Sequence, residues 1–540
     1  MLNVSNLSVQ FGKRVLFDNV NVSFTKGNCY GIIGANGAGK STFLKILSKT
    51  IEPNSGSVNL ESEKRMSVLE QNHFAFDNKQ VLETVLIGNK LLFDVKKEMD
   101  EIYSKSDFSD KDSDRVGALQ IKYEEMDGWN AEGDAASLLS NLGIKEDLHY
   151  YKMCDLDGVQ KVKVLLAQAL FGNPDVLIMD EPTNDLDFDT IKWLENFIIT
   201  YENTVIVVSH DRYFLDSVCT HISDIDFGKI NHFTGNYTFW YESSQLALRQ
   251  KSQQNKKAEE KKKELEDFIA RFSANASKSK QATSRKKMLE NLKIEDIKPS
   301  SRRYPAIIFA PERDAGDQIL NVENLSYSIN NEKFFENISF NLKKGDKVIL
   351  YSKDTRATTA FYEIINNKFK QDNGKFSWGI TTSQSYLPLD NSSFFKTKLN
   401  LIDWLRQWAK SDEEREEVFI RGFLGKMIFS GEEALKTADV LSGGEKVRCM
   451  LSRMMMLKTN VLMFDEPTSH LDLESITALN NSIKNFKGTV ILTTHDFEFA
   501  KSVGTRVIEL TPKGVIDRLS TFDEYIADKK LEEIRKKLNS

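Results

Sequence analysis

Cysteine is scarce in this chain. Four residues in 540, Cys29, Cys154, Cys219 and Cys449, lie far apart and show no metal-ligand spacing. That excludes a disulfide framework and a cysteine-built zinc site, and it fits reduced thiols of a cytoplasmic protein. Long apolar runs are also missing, none approaching the roughly 18 residues that would span a bilayer. The start, Met1-Leu2-Asn3-Val4-Ser5, carries neither the basic nor the apolar region of an export signal. Positive charge is in deficit, with 73 Lys and Arg against 79 Asp and Glu, a net of −6. Taken alone, that average argues against a nucleic-acid binder. A hydrophobic content of 40% and a charged content of 28% suit a globular protein. The length exceeds what one core can organise, so about two to four domains are expected.

What the chain does have is a phosphate-binding loop. Gly34-Ala35-Asn36-Gly37-Ala38-Gly39-Lys40-Ser41-Thr42 matches the P-loop pattern in full. Cys29 to Ile33 reads as a buried strand before it, and Phe43 to Leu47 as the apolar stripe of a helix after it. In that context backbone N–H groups point at phosphate oxygens and the helix dipole favours their charge. Lys40 can reach the β- and γ-phosphates, and Ser41 can offer its hydroxyl to Mg²⁺.

The chain contains itself twice. Asn3-Val4-Ser5-Asn6-Leu7-Ser8 is echoed 318 residues later by Asn321-Val322-Glu323-Asn324-Leu325-Ser326. Asp180-Glu181-Pro182-Thr183 returns 285 residues later as Asp465-Glu466-Pro467-Thr468, and Ser209-His210-Asp211 as Thr494-His495-Asp496. The first copy therefore holds 33 more residues between its loop and its Asp-Glu pair. Most of that surplus is expected at about 92–128, as two short helices around the polar Ser104–Asp114 stretch. The boundaries read as 1–240 for the first domain, 241–300 for a linker, 316–525 for the second domain and 526–540 for a short charged helix.

Between the copies the composition shifts. From Tyr241 the chain has no glycine or proline until Pro299, and it is rich in Lys, Glu, Gln and Ala. Leu265, Phe268, Ile269 and Phe272 follow helical spacing, and Met288, Leu289 and Leu292 repeat it. The expectation is a long antiparallel helix pair turning near Ser273–Lys280. Residues 249–298 hold 15 Lys and Arg against 8 Asp and Glu, about +7, which leaves the remainder near −13. Arg271, Lys278, Lys280, Arg285, Lys286 and Lys287 crowd the tip and second helix. A solvated helix held by i,i+4 pairs is one reading of this charge. Contact with a phosphate backbone is the other, because such charge without interleaved aromatics suits positioning rather than base readout.

Each copy ends an apolar strand in Asp-Glu. Asp180 can hold Mg²⁺, usually through water, and Glu181 can polarise the attacking water, while His210 can contact the γ-phosphate. Gln71 sits where an amide could bridge metal and water, and Phe11 where a ring could stack on adenine. In the second copy Thr359, Gln384, Asp465, Glu466 and His495 persist. Its loop, however, reads Ser352-Lys353-Asp354-Thr355-Arg356-Ala357-Thr358-Thr359, with Thr358 in place of the lysine and Ile329 in place of Phe11.

Leu441-Ser442-Gly443-Gly444-Glu445-Lys446 matches the LSGGQ-type signature of ABC ATPases. With the P-loop, the Asp-Glu pairs, Asn184-Asp185-Leu186-Asp187, Ser469-His470-Leu471-Asp472 and the two histidines, the chain resembles a tandem ABC ATPase. The lysine-rich linker, the insertion in the first copy and Gly235-Asn236-Tyr237 resemble the ABC-F family, and the degenerate second loop its YbiT-type subgroup. The resemblance implies an α/β fold of two ABC domains that close head-to-tail on ATP and Mg²⁺ as an intramolecular dimer within a monomer, with no obligate protein subunit. One site then joins Lys40, Ser41, Asp180, Glu181 and His210 to Ser442, Gly443, Gly444 and Glu445. The other joins the second loop to Leu156-Asp157-Gly158-Val159-Gln160, where an acid replaces serine and a valine replaces glycine, so it is expected to hold nucleotide weakly. The family implies a translation factor that enters the ribosomal E site, brings the linker near rRNA and P-site tRNA, and leaves on hydrolysis. Ribosome protection against antibiotics, a DNA-handling ATPase and a transporter's ATPase subunit are the alternatives.

Overall fold

The computed structural model describes Met1 to Asn539 except residues 13, 36, 70, 71, 73, 106, 185, 273–283, 285, 290–301, 330 and 331. Two copies of one architecture follow each other along the chain. In the first, β1 (Leu2–Phe11), β2 (Arg14–Phe24) and β4 (Ser55–Leu60) form a three-stranded antiparallel sheet. A six-stranded sheet takes β3 (Cys29–Gly34), β5 (Met66–Val68), β6 (Val176–Asp180), β7 (Thr204–Val208), β8 (His221–Asp226) and β9 (Lys229–Thr234) in the order β5-β6-β7-β3-β8-β9. Only β9 runs antiparallel.

The strands β3 and β7 are buried along their whole length, which is why their sequences read as unbroken apolar runs. Parallel strands present their carboxyl ends along one edge, and the loops there build ligand sites. That edge collects Gly34, Asp180 and the residues after Val208.

The second copy repeats the pattern. Its small sheet is β10 (Gln318–Ile329), β11 (Glu332–Lys343) and β13 (Asn373–Trp378). Its large sheet, ordered β14-β15-β16-β12-β17-β18, uses β12 (Lys347–Tyr351), β14 (Gln384–Leu387), β15 (Val461–Asp465), β16 (Thr489–Thr493), β17 (Arg506–Thr511) and β18 (Gly514–Arg518).

Two helices, Lys90–Tyr103 and Asp110–Glu125, occupy the surplus of the first copy. The second begins inside the stretch expected to be an irregular turn. Ser109 caps it, and Asp112 returns a bond to the Ser109 N–H at 3.0 Å, a complete capping box. Leu92, Val95, Met99 and Ile102 join Val116, Leu119 and Tyr123 in one core, continuous with that of the first domain.

The helix Tyr237–Phe272 leaves the first domain and runs about 54 Å. It begins four residues before the expected boundary, because Tyr237 and Trp240 are buried in the first domain's core. Lys286 and Lys287 are helical and exposed. Arg271 lies in the long helix by its backbone. The expected turn and most of its partner helix, with Lys278, Lys280 and Arg285, fall outside the described residues. Among the described residues, no helix is long and apolar enough to cross a membrane.

Candidate nucleotide sites

The glycines of the first loop are there for steric reasons. A Cβ on Gly34 would lie 2.9 Å from the Ile225 carbonyl oxygen, and one on Gly39 2.8 Å from Leu16. Gly37 and Gly39 have φ of 76° and 103°, a region costly for any residue with a Cβ. Lys40 then opens the helix Lys40–Leu47, which contains Ser41 and Thr42 and has no side-chain cap. Its first N–H groups are thus left to an anion. Lys40 Nζ reaches back across the loop to the Gly34 carbonyl oxygen at 2.8 Å. Phe11, at the end of β1, keeps 55% of its surface exposed, enough to offer a face to a planar base. Ala35 and Ala38 lie in the loop. Asn36 and Gln71 fall outside the described residues.

Glu181 stands beyond β6 with a left-handed φ of 53°, and its N–H donates to the Val208 carbonyl at 2.8 Å. That twist aims the side chain at His210. The His210 backbone N–H donates to Glu181 Oε2 at 3.1 Å, and His210 Nε2 lies 3.4 Å from Oε1. Burial, reinforced by Asp180, pushes the Glu181 carboxyl up to about 8, against the pull of the His210 N–H and Lys40. Burial and the Lys40 charge push His210 down to about 3, so the imidazole is neutral at physiological pH. Burial also lowers Lys40, opposed first by Glu181 and then by Glu474 and Asp472. These last two belong to the second domain.

Hard oxygen donors converge at this edge. The helix carrying Ser41 packs against β6, whose last residue is Asp180. In the second copy the equivalent pair is bonded, Thr359 Oγ1 donating to Asp465 Oδ2 at 2.7 Å. A hydroxyl beside a carboxylate fits Mg²⁺. When bound with nucleotide, that ion neutralises charge on the β- and γ-phosphates.

The second copy keeps the carboxylate and imidazole but not the loop. Glu466 has φ 50°, accepts the His495 N–H at 3.0 Å, and lies 3.3 Å from His495 Nε2. Burial raises Asp465 to about 7, eased by the Thr359 bond and reinforced by Glu466. Gln384 opens β14 and donates to the Thr382 hydroxyl at 3.1 Å. The helix Thr355–Ile365, however, begins three residues earlier than Lys40–Leu47 once the 318-residue shift is applied. Residues that form the glycine turn in the first copy here add a turn of helix. Asp354 caps it, and the Thr358 hydroxyl, buried, donates to the Thr355 carbonyl at 2.8 Å. Ser352 is buried and donates no cradle of its own; its Oγ accepts the Asp354 N–H at 3.3 Å. The glycine turn of the first copy therefore has no counterpart here. Without glycine a turn at positive φ is costly, and helix is the alternative.

The signatures differ in charge and agree in geometry. Ser442 and Asp157 each cap a helix with a full capping box, closed by Glu445 and Gln160 respectively. Aspartate caps as well as serine does, so the change kept the helix and altered the charge. Gly444 follows Gly443 in the first turn of its helix, as Val159 follows Gly158. A Cβ on Gly443 would press on the His470 ring at 3.1 Å, whereas one on Gly158 would meet nothing within 4 Å. His470 leads into Asp472, which caps the helix Leu473–Asn485 and lies near Lys40.

The two domains face each other across the segments that follow their Asp-Glu pairs and carry their histidines. A cavity of about 130 Å³ is lined by His210 and Asp211 of the first and by Glu466, His470, His495 and Asp496 of the second. A larger one, about 290 Å³, brings Lys163, Asp187 and Phe188 of the first against Ser352, Lys353 and His495 of the second. Phe188 packs among Tyr351, His495, Phe497 and Phe522 at centroid distances of 5.3–6.3 Å. On the other side the contact is polar, with Arg212 donating to the Leu473 carbonyl at 3.3 Å and to the Thr477 hydroxyl.

A family description reading "ABC transporter" matches residues 17–184 and again 335–469, and a second with the same description matches 223–309. The chain belongs to the ABC family. It is of the ABC-F kind, with two ABC domains in tandem, and such domains imply ATPase activity. It is 55% identical over 539 residues to the ABC transporter ATP-binding protein YkpA of Bacillus subtilis, covering 100% of this chain and 99% of that one. It is 41% identical to the probable ATP-binding protein YbiT of Escherichia coli O157:H7, with 98% and 100% covered. Among solved structures, RNase-L Inhibitor superposes with a TM-score of 0.63 at 16% identity, over 98% of this ABC chain and 93% of its own. A structure described as ribosome-bound archaeal Pelota and ABCE1 gives 0.54 at 17%, over 93% and 76%. At these identities the likeness is one of fold.

Sequence reasoning named the loop, acid and imidazole residues but missed the contacts between the domains. Arg212 and Phe188 each follow a motif by one residue, and motif spacing carries no information on what a neighbour touches. The added helical turn was readable in principle. Asp354 followed by Thr355 and no glycine is a helix-start signal.

Proposed function

We propose that this protein is an ATP-driven translation factor that binds the ribosome with its domains closed and leaves after hydrolysis. Lys40 and the glycine turn hold the triphosphate, with Ser442, Gly443 and Gly444 completing the site from the opposite domain. Glu181 takes the proton as water attacks the γ-phosphorus and the bond to the β–γ bridging oxygen breaks. His210, neutral, steadies the γ-phosphate, and Phe11 stacks on the base. Arg271, Lys278, Lys280, Arg285, Lys286 and Lys287 meet the phosphate backbone of rRNA or P-site tRNA.

The observation that carries this reading is the segment between the domains. A 36-residue helix, part of a strongly basic stretch, leaves a two-domain ATPase in which no described helix could cross a membrane. Basic charge concentrated on one projection suits an RNA surface even where the whole chain is acidic. The fold shared with ABCE1, described elsewhere as ribosome-bound, supports the class of machine.

The test is sedimentation of the Glu181→Gln/Glu466→Gln variant with ribosomes, with and without ATP. Comigration that requires ATP is expected. Retention on DNA, or recovery with membranes, would overturn the reading.

A further inference from the structure

Both ends of the interdomain segment meet at one buried arginine. Trp240 lies in the first turn of the helix Tyr237–Phe272, and Arg302 lies just after the undescribed residues 290–301. The Arg302 guanidinium carbon sits 4.7 Å from the Trp240 ring centroid. Its Nη2 donates to Asp224 Oδ1 on β8 at 2.5 Å. Its Nε lies 3.0 Å from Glu474 Oε1, on the second domain's helix Leu473–Asn485. Arginine and both carboxylates are almost wholly buried. Glu474 is two residues from Asp472, and both carboxylates act on the Lys40 ammonium. A buried carboxylate of the second domain thus adds negative charge to the field at Lys40, and its pairing with Arg302 offsets it.

The second domain repeats the arrangement without crossing the interface. Arg535, on the helix Lys529–Asn539, stacks over Tyr525 at 5.6 Å and pairs with Glu509 at 2.8 Å. Tyr525 and Glu509 lie 285 residues after Trp240 and Asp224. The Arg535 Nη2, however, goes to the Tyr351 hydroxyl of its own domain at 3.2 Å. The bridge between domains is built on the Lys40 side.

We propose that Arg302 is a positioning residue for the first ATP site: by pairing with Glu474 it cancels a negative charge near Lys40 and ties the opposing domain's Asp472 loop to the root of the linker. The proposal rests on the reading that the Lys40 site is the one that turns over ATP. Shifting the linker root would uncover the Glu474 charge and loosen the hold on triphosphate. A buried ion left without its partner is costly, and anion binding beside it is weakened.

The test is steady-state ATPase kinetics on the full chain, with kcat and KM separated and thermal unfolding followed alongside. Arg302→Gln should raise KM for ATP about tenfold, within the range common for coupled sites. Adding Glu474→Gln should restore KM to within about twofold of the Glu474→Gln variant alone, because the charge that repels is gone. Arg302→Lys, which keeps the charge and loses the fork, should fall between. It also serves if the glutamine variant does not fold. Additive effects of the two single changes, an unchanged KM in Arg302→Gln, or an equal effect from Arg535→Gln would each overturn the proposal. A wild-type ATPase rate indifferent to Lys40→Ala would overturn the reading of the site itself.

Discussion

The Asp354 carboxylate accepts the backbone N–H of Arg356 at 2.9 Å, at the helix start where the first copy leaves its N–H groups to an anion. The same carboxylate pairs with the Arg356 guanidinium at 2.7 Å, and the guanidinium reaches Glu332 at 2.9 Å while covering Phe334. The second copy brings its own anion and holds it in place.

One tight ATP per chain follows from that relationship. Charge-assisted hydrogen bonds contribute about 1.5–3 kcal/mol each, so losing the lysine and the free N–H groups should weaken the second site by roughly a hundredfold or more. Equilibrium binding of radiolabelled ATP should give a stoichiometry near one, lost in Lys40→Ala. Thr358→Lys alone should not raise it, since the added turn of helix remains.

Removing the two glutamates should have unequal effects. Glu181→Gln is expected to lower ATP turnover by about a hundredfold or more, the usual cost of removing a positioned base. Glu466→Gln, in the copy without a cradle, should retain most of the rate. Single-turnover phosphate release measured on both variants checks this.

The Glu181 carboxyl, raised to about 8, sets a pH limb. Below that value it holds a proton and cannot accept one from water. The kcat/KM for ATP, which reports the free enzyme, should therefore climb as pH rises and level off above about 8. Stability runs the other way. The folded carboxyl binds its proton more tightly than the unfolded one, so stability falls as pH rises from about 4.5 to about 8. Thermal unfolding of Glu181→Gln should show a shallower decline across that window.

Phe188 holds the domains together on the second side. It is half-buried among Tyr351, Phe497 and Phe522, so Phe188→Ala should cost about 1–3 kcal/mol, below the range for a fully buried ring. Chemical denaturation should show the loss as earlier separation of the domains, with ATP affinity at the Lys40 site little changed.

Much of this was legible in the chain. The Gly34–Thr42 motif placed a strand, a turn and a helix, because glycine chemistry and apolar period agree there. The 318- and 285-residue offsets by themselves reveal two like domains. The two helices of the insertion were readable as a pair but not in length, because Ser109 and Asp112 lie in a stretch whose polarity suggests a loop. Arg302 lies just past the expected linker of 241–300, and no motif singles it out. Its burial comes from Trp240, Asp224 and Glu474, residues of two domains that no local pattern joins.

In the proposed function the Lys40 site draws the two domains together so that the linker can grip RNA. Sedimentation of the single variant Glu181→Gln with ribosomes, compared with and without ATP, tests this most directly. This variant is expected to comigrate with ribosomes only when ATP is present, while Glu466→Gln behaves as the wild type does. ATP-dependent comigration of Glu466→Gln alone, with Glu181→Gln left in the supernatant, would contradict it.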